Sequence, residues 1–455
     1  MISDISMPST LDGEGWSAPR EGLLALFQGL DTPFFVYDMP AIERRIAGVR
    51  QALGPDLKLY YAVKANPNPE LLHRLSGLVD GLDISSGGEL RAAMDRGWNP
   101  GTLSFAGPGK SMAELTAAVA SGLGSISVES PTELGRIQQL AAQLGAPANV
   151  TLRINPSRLT REFAVKMGGR PAPFGIDEEE ITGILDRLDD MPDCRMTGLH
   201  IYAGTQCLVA DALVDNFRHS LDIARRVMSH RHGGIGRINF GGGFGIPYHA
   251  GQQPLDVREA GGRFRELFAE FRRGTGRSRL MGIVELGRFL VAQAGLYVAR
   301  VVDVKRSRGR TYCVVDGGMH HHLSASGNFG QVIRKNFRLV NLSAAPDAPV
   351  ETVTVVGPLC TSLDVLGDQV TLGAPRLDDC IAVFDSGAYA YSASPLLFLS
   401  HPTPAEYLLE AGERLTLIRP SLAVSDLFRT GGPPDAGGGE CNDRLVTVLE
   451  DERRR

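Results

Sequence analysis

Lys64 lies in the run Tyr60-Tyr-Ala-Val-Lys-Ala-Asn-Pro67, directly after an apolar, aromatic-rich stretch. An amine emerging from such a stretch is partly desolvated, which lowers its pKa and frees it for attack on a carbonyl carbon. Two other segments carry groups that could work with it. Gly241-Gly-Gly-Phe-Gly245 offers bare backbone N–H groups able to crowd around a phosphate. Glu285-Leu-Gly-Arg288 sets a carboxylate just before a guanidinium. The first can bond a ring nitrogen and keep it protonated, while the second adds charge opposite a phosphate. Each signal has a bland alternative: a surface lysine, a flexible glycine turn, a plain ion pair. Which reading holds depends on whether the fold brings the three together.

The elements that would do so repeat one rhythm from residue 57 to 285: a short β-rich apolar run, a loop, then helical periodicity. Eight such runs cover 57–63, 81–84, 103–105, 125–128, 150–154, 197–202, 237–240 and 282–285. Between them, 130–144 reads as a helix with a Ser-Pro start, and 177–188 as one in which Asp177 and Glu180 have capping-box spacing. Eight strands alternating with helices predict an α/β fold, a closed (β/α)8 TIM-type barrel with its site at the C-terminal strand ends. Lys64, the glycine run and Glu285 then stand at the ends of strands one, seven and eight. A lysine, a phosphate cradle and a ring-nitrogen carboxylate in one barrel mouth suggest pyridoxal 5'-phosphate (PLP), carried by Lys64 as a Schiff base. After residue 286 strands continue without regular helices, at 296–304, 312–316, 351–356, 380–384 and 414–418. The expected division is a PLP-binding barrel, 39–285, and a mostly β second domain, 1–38 and 286–455, which a strand at 33–37 joins.

A chain of 455 residues, 43% hydrophobic and 22% charged, has the balance of a globular protein of two domains. No apolar run reaches membrane-spanning length, and the start MISDISMPSTLDGEGW lacks the basic and apolar regions of a secretory signal, so a cytoplasmic protein without a membrane partner is expected. A net charge of −5 gives no general attraction to nucleic acid, and Lys305-Arg-Ser-Arg308 and the C-terminal arginines read as solvated surface. Six cysteines, Cys194, Cys207, Cys313, Cys360, Cys380 and Cys441, form no CxxC pair and read as reduced thiols. The Gly/Pro-rich stretch 430–439 reads as a loop without chemistry.

Five motifs, in order, resemble the ornithine/diaminopimelate decarboxylase family over residues 33–410. They are Tyr61-Ala-Val-Lys-Ala-Asn66, Asp83-Ile-Ser-Ser-Gly-Gly-Glu-Leu90, Gly241-Gly-Gly-Phe-Gly245, Gly357-Pro-Leu-Cys-Thr-Ser-Leu-Asp364 and Ser386-Gly-Ala-Tyr389. The resemblance implies a PLP-dependent amino-acid decarboxylase that works as a homodimer with shared active sites. It makes Lys64 the Schiff-base lysine, Gly241, Gly242 and Gly243 with Arg288 and Tyr389 the phosphate contacts, and Glu285 the partner of the pyridine nitrogen. It also places Asp83 and Arg153 in the cofactor pocket. Cys360 matches the cysteine that reaches across the dimer to protonate the substrate carbon, although by chemistry alone it could equally be an inert core thiol. Departures from the family pattern begin in Gly198-Leu-His-Ile-Tyr-Ala-Gly-Thr205. There the ring-stacking histidine aligns with Tyr202 rather than His200, and Thr205 stands where a serine is usual.

The substrate residues depart further. Thr361 stands where the family carries an acidic residue for a distal amine, and Ser324 near the place of an arginine for a distal carboxylate. Ser324, Asn328, Thr361 and Asp364 are the expected substrate-facing residues. The stretches 316–330, 359–367 and 392–402 look like a subgroup acting on aminoacyl groups bound to an acyl carrier protein, in secondary-metabolite or exopolysaccharide-linked pathways. In His320-His321-His322, neighbours on a strand would point to opposite faces, so only His320 and His322 could share a ligand, and no metal is expected. The rival readings are decarboxylation of free diaminopimelate or another basic amino acid, a racemase of the same fold, and a PLP-binding regulatory protein without turnover. Glu285 argues against the racemase, since such enzymes usually place an arginine at the ring nitrogen. The Cys360 loop and the second domain argue against the regulator.

Overall fold

The computed structural model describes residues 16–18, 20–158, 162–166, 168–249, 251–329 and 335–424; the stretch 430–439, Cys441 and the C-terminal arginines lie outside these. Eight parallel strands form the barrel: Leu57–Ala62, Gly81–Ile84, Leu103–Phe105, Ser125–Val128, Ala148–Asn155, Cys194–Ile201, Arg237–Asn239 and Met281–Leu286. The eighth pairs with the first, and the fourth with the fifth, so the sheet closes on itself. The strands are buried nearly throughout because helices cover one face and the barrel interior the other, which is why they read as continuous apolar runs.

Local signals set most of the helices. Pro131–Leu144 is capped by Ser130, whose hydroxyl accepts from Glu133 N at 3.1 Å, and is ended by the left-handed Gly145. The helix expected over 177–188 is shorter than predicted. Residues Ile176–Asp177 add a short strand to the end of the fifth barrel strand, Glu178–Glu180 form a 3-10 turn, and only Ile181–Asp186 is α-helical. Asp177 makes no capping bond; its carboxylate accepts from Asn155 Nδ2 at 2.7 Å, since strand pairing has already fixed it there. Helix Met39–Leu53 precedes the first strand and packs on Val257–Thr275. A Cβ on Gly261 would stand 2.7 Å from Ala52 Cβ, so only glycine allows the approach.

The second unit is an antiparallel and mixed sheet built around the long strand Gly295–Ser307. Phe34–Asp38 runs between it and Ala405–Glu410, so the N-terminal strand belongs to this sheet. Three strands here were not expected from sequence: Leu339–Asn341, Val365–Gly373 and Ala405–Glu410. Where the two units meet, Tyr389 N donates to Ala65 O at 2.8 Å and Asn66 Nδ2 to Gly387 O at 3.2 Å. These bonds lay the 386–391 segment over the end of the first barrel strand. No helix among the described residues is long and apolar enough to cross a membrane.

Candidate active site

Lys64 sits in the 3-10 turn Val63–Ala65 that leaves the first barrel strand. Its Nζ lies 3.4 Å from Asp83 Oδ2, at the end of the second strand, and 5.8 Å from the centre of the Tyr202 ring, just past the sixth. Burial works against the ammonium, as the sequence suggested. Asp83 and then the nearby tyrosines outweigh it, so the amine is raised above the ordinary lysine value rather than lowered. Asp83 is itself buried, and burial together with Glu285 pushes its carboxyl up to about 6. Lysine and aspartate thus form an ion pair with the proton on the amine.

One cavity gathers Lys64, Tyr202, Thr205, Gly243, Glu285, Arg288 and Tyr389, all expected at the site, together with Phe244 and Gly287. Arg288 Nη1 donates to Tyr248 OH at 2.8 Å, and its guanidinium lies 4.6 Å from the centre of the Tyr389 ring. Tyr389 adopts a left-handed backbone, φ 53°, that few aromatic residues tolerate. The glycine run works differently from expectation. Gly241 N–H is taken by Asn239 Oδ1 at 2.9 Å, so it is no phosphate donor; a Cβ there would stand 2.5 Å from Tyr202 Cδ2. Gly242 lets the seventh strand end pass against Glu285 O, which a Cβ would meet at 1.8 Å. Of the three, Gly243 lines the cavity.

Glu285 stands at the end of the eighth strand inside the barrel. Asn239 Nδ2 donates to its Oε1, Ser104 Oγ lies 3.4 Å from the same oxygen, and His200 Nε2 lies 3.3 Å from Oε2. Burial pushes the carboxyl up, but His200 first, then Lys64 and Asn239, bring it down to about 2. The site therefore pairs one firmly ionised carboxylate, Glu285, with one near its titration point, Asp83. Sequence reasoning missed His200, Asn239, Ser104 and Tyr248. The available signal was alternation: His200 precedes Tyr202 by two positions, and Asn239 precedes Gly241 by two, so each shares the inward face.

Six other expected site residues lie outside the Lys64 cavity. Arg153 does not line the cavity; its Nη1 pairs with Glu129 Oε1 at 2.5 Å and its guanidinium stacks over Phe174. Asp364 is buried, and its two carboxylate oxygens accept from Met319 N at 2.6 Å and Leu359 N at 2.9 Å, so it shapes the loop rather than facing substrate. Ser324 Oγ donates to Tyr389 O at 2.7 Å, supporting the cavity wall from behind. Asn328 Nδ2 donates to Ser326 Oγ at 2.8 Å and to Leu363 O at 3.2 Å. Cys360 is exposed and Thr361 half-buried, both outside the Lys64 cavity of their own chain. The three histidines lie in a turn, with His321 N and His322 N both bonded to Gly318 O, not in the strand expected. Among the described residues no group of metal-ligating side chains comes together.

A parallel barrel with a lysine, an ionised carboxylate and an arginine–tyrosine pair in its mouth defines a cofactor-dependent enzyme of the (β/α)8 class. Residues 39–292 match the family described as pyridoxal-dependent decarboxylase, pyridoxal binding domain. An L-glutamyl-[BtrI acyl-carrier protein] decarboxylase of Niallia circulans is 37% identical over 90% of this chain and 95% of its own. A diaminopimelate decarboxylase of Bacteroides thetaiotaomicron is 32% identical over 80% of this chain and 92% of its own. The structure of diaminopimelate decarboxylase from Helicobacter pylori complexed with L-lysine superposes with a TM-score of 0.80, at 26% identity, over 90% of this chain and 98% of that one. The chain belongs to the pyridoxal-dependent decarboxylase family and is a PLP-dependent amino-acid decarboxylase.

The cavity suits that cofactor. Arg288 Nε is a buried donor without a hydrogen-bond partner among the described residues, in the wall where a phosphate oxygen would satisfy it. Gly243 keeps the same wall open: a Cβ there would stand 2.6 Å from Gly204 O.

Proposed function

We propose that this enzyme decarboxylates an aminoacyl group whose far end is neutral or joined to an acyl carrier protein. The observation that carries the reading is the lack of a charged group at the two positions where the family resemblance expects a partner for a distal charge: Thr361 and Ser324 are uncharged, and Ser324 is already bonded to Tyr389 O. A second cavity beside Lys64 agrees with it, being walled by Pro67, Ser86, Gly88, Ser392 and Ala393, with Glu89 the acidic group present. Burial pushes the Glu89 carboxyl up to about 7, which makes it a weak partner for a distal ammonium at neutral pH. The resemblance to a carrier-linked glutamyl decarboxylase points the same way.

Bound PLP supplies an electron sink, its protonated ring taking up the electron pair left when the α-carboxylate departs as CO2. In the proposed mechanism, Lys64 Nζ would hold the cofactor through its aldehyde carbon, and Asp83 is the carboxylate paired with that amine. Arg288, Gly243 and Tyr389 hold the phosphate. Tyr202 covers one face of the ring, anchored beside Thr205. Glu285 keeps the proton on the ring nitrogen. Cys360 of a second copy delivers a proton to the substrate α-carbon. The same reading takes the active form as a cytoplasmic homodimer in secondary metabolism, its barrel spanning 39–285 and its β unit 1–38 with 286–455.

The test is competition between free meso-diaminopimelate or ornithine and a glutamyl-carrier thioester, read as CO2 release. A missing charge-assisted hydrogen bond of about 1.5 to 3 kcal/mol corresponds to roughly a ten- to hundredfold preference in kcat/KM for the carrier-linked substrate. Equal turnover of a free distal ion would overturn the reading. Subunit sharing has its own check, by mixing Lys64→Ala and Cys360→Ala proteins under conditions of exchange. Hybrid dimers have one site with both native residues, so about a quarter of wild-type activity should return. No recovery would place Cys360 outside the neighbouring site.

A further inference from the structure

The barrel interior around Glu285 is polar where such barrels are filled mainly by Val, Ile and Leu. Ser104, Ser127, Thr151, His200 and Asn239 are all buried inside it. His200 lies at its centre, 2% exposed. Its Nε2 is 3.3 Å from Glu285 Oε2, and its Nδ1 is 3.0 Å from Ser127 Oγ, which continues to Thr151 Oγ1 at 3.2 Å. The contacts on Glu285 are lopsided. Asn239 and Ser104 both approach Oε1, and His200 is the group that meets Oε2. The His200 contact is a close approach without the in-line angle of a hydrogen bond, yet Oε2 is the polar atom that faces this otherwise unpartnered ring nitrogen. A carboxyl with polar neighbours at both oxygens turns less freely about its terminal bond than one held at a single oxygen. The side chain at the second oxygen is fixed in turn by Ser127, on the fourth strand. Alternation explains the placement: His200 and Tyr202 share the inward face of one strand end, the second lining the cavity and the first one layer below it.

We infer that His200 is a positioning residue for the cofactor's ring nitrogen: held by Ser127, it fixes the orientation of Glu285 and acts on the ring only through that carboxylate. The inference rests on Glu285 being the ring-nitrogen partner. His200 is also the largest of the influences that lower the Glu285 carboxyl. The plain alternative is a histidine that merely completes the packing of the barrel.

The experiment is a double-substitution cycle on holoenzyme reconstituted with cofactor labelled with ¹⁵N in the ring, read by the ring-nitrogen chemical shift and by kcat/KM. His200→Phe should move the resonance toward the unprotonated position and lower kcat/KM by about ten- to hundredfold. His200→Gln, which keeps a donor, should recover part of both. In a Glu285→Gln background, His200→Phe should change kcat/KM by less than about twofold, since the route through the carboxylate is already cut. Full multiplication of the two losses would overturn the inference and leave a packing role. So would an unmoved resonance in His200→Phe when Glu285→Gln moves it. If Glu285→Gln itself leaves the resonance in place, it is the assignment of Glu285 that fails.

Discussion

Lys64→Ala is expected to lose the visible absorbance of the lysine-bound cofactor and, with it, turnover by more than about 10³-fold. The lysine stands at the end of the first barrel strand, in the wall of the cavity that also holds Arg288 and Tyr389. Its rivals are engaged elsewhere. Lys110 is buried against Glu133 at 2.8 Å and Gly107 O at 2.6 Å, and Lys58 pairs with Asp80 at 3.1 Å. Asp83 sharpens the case. It holds the amine in its charged form at rest and 3.4 Å away, which ties this lysine, among those at the barrel, to the site. Absorbance spectra and borohydride reduction followed by peptide mapping would decide the matter. A reducible adduct on another lysine, with normal turnover, would remove Lys64 from the mechanism.

The barrel was legible because its strands are central and covered on both faces, which makes each a continuous apolar run set off by helices. The β unit was harder. Ala405-Glu-Tyr-Leu-Leu-Glu410 has helix-forming residues, and it becomes a strand because Phe34–Asp38 supplies a partner for parallel pairing. Val365–Gly373 carries polar Asp368 and Gln369 in its middle, with Gln369 at positive φ and a register shift against Val350–Val356 that breaks the alternation. At the site, residues at strand ends could be located from sequence, since a barrel fixes which end carries the chemistry. Lys64, Glu285 and Arg288 were found in that way, whereas Tyr202 came from the family resemblance. The layer beneath could not be, because which inward side chains of strands three, four, six, seven and eight meet depends on barrel stagger. Alternation could mark His200 and Asn239 as inward-facing, but their meeting with Ser104 at Glu285 is visible only in three dimensions. The charge of Lys64 was misjudged for a related reason: burial was readable, whereas the distance to Asp83 was not.

Glu285→Gln should retain the cofactor while slowing decarboxylation by about 10²- to 10³-fold, the usual consequence of removing one preorganised electrostatic contact. Retention follows because the substitution leaves Arg288, Gly243 and Tyr389 intact. The rate falls because a neutral amide cannot hold a proton on the ring nitrogen as an anion does. Its NH2 group would oppose Asn239 Nδ2, donor against donor, unless it turns to His200 Nε2 and the imidazole takes the tautomer that accepts there. The pH profile gives a second reading. Glu285 titrates near 2 and contributes no limb in the neutral range, but its charge is one of the causes that raise Asp83, after burial. With that charge removed, Asp83 ionises more easily, so an acid limb of kcat/KM near pH 6 should move to lower pH in the variant. An unchanged rate, with the acid limb where it was, would mean that Glu285 neither touches the ring nor feels Asp83.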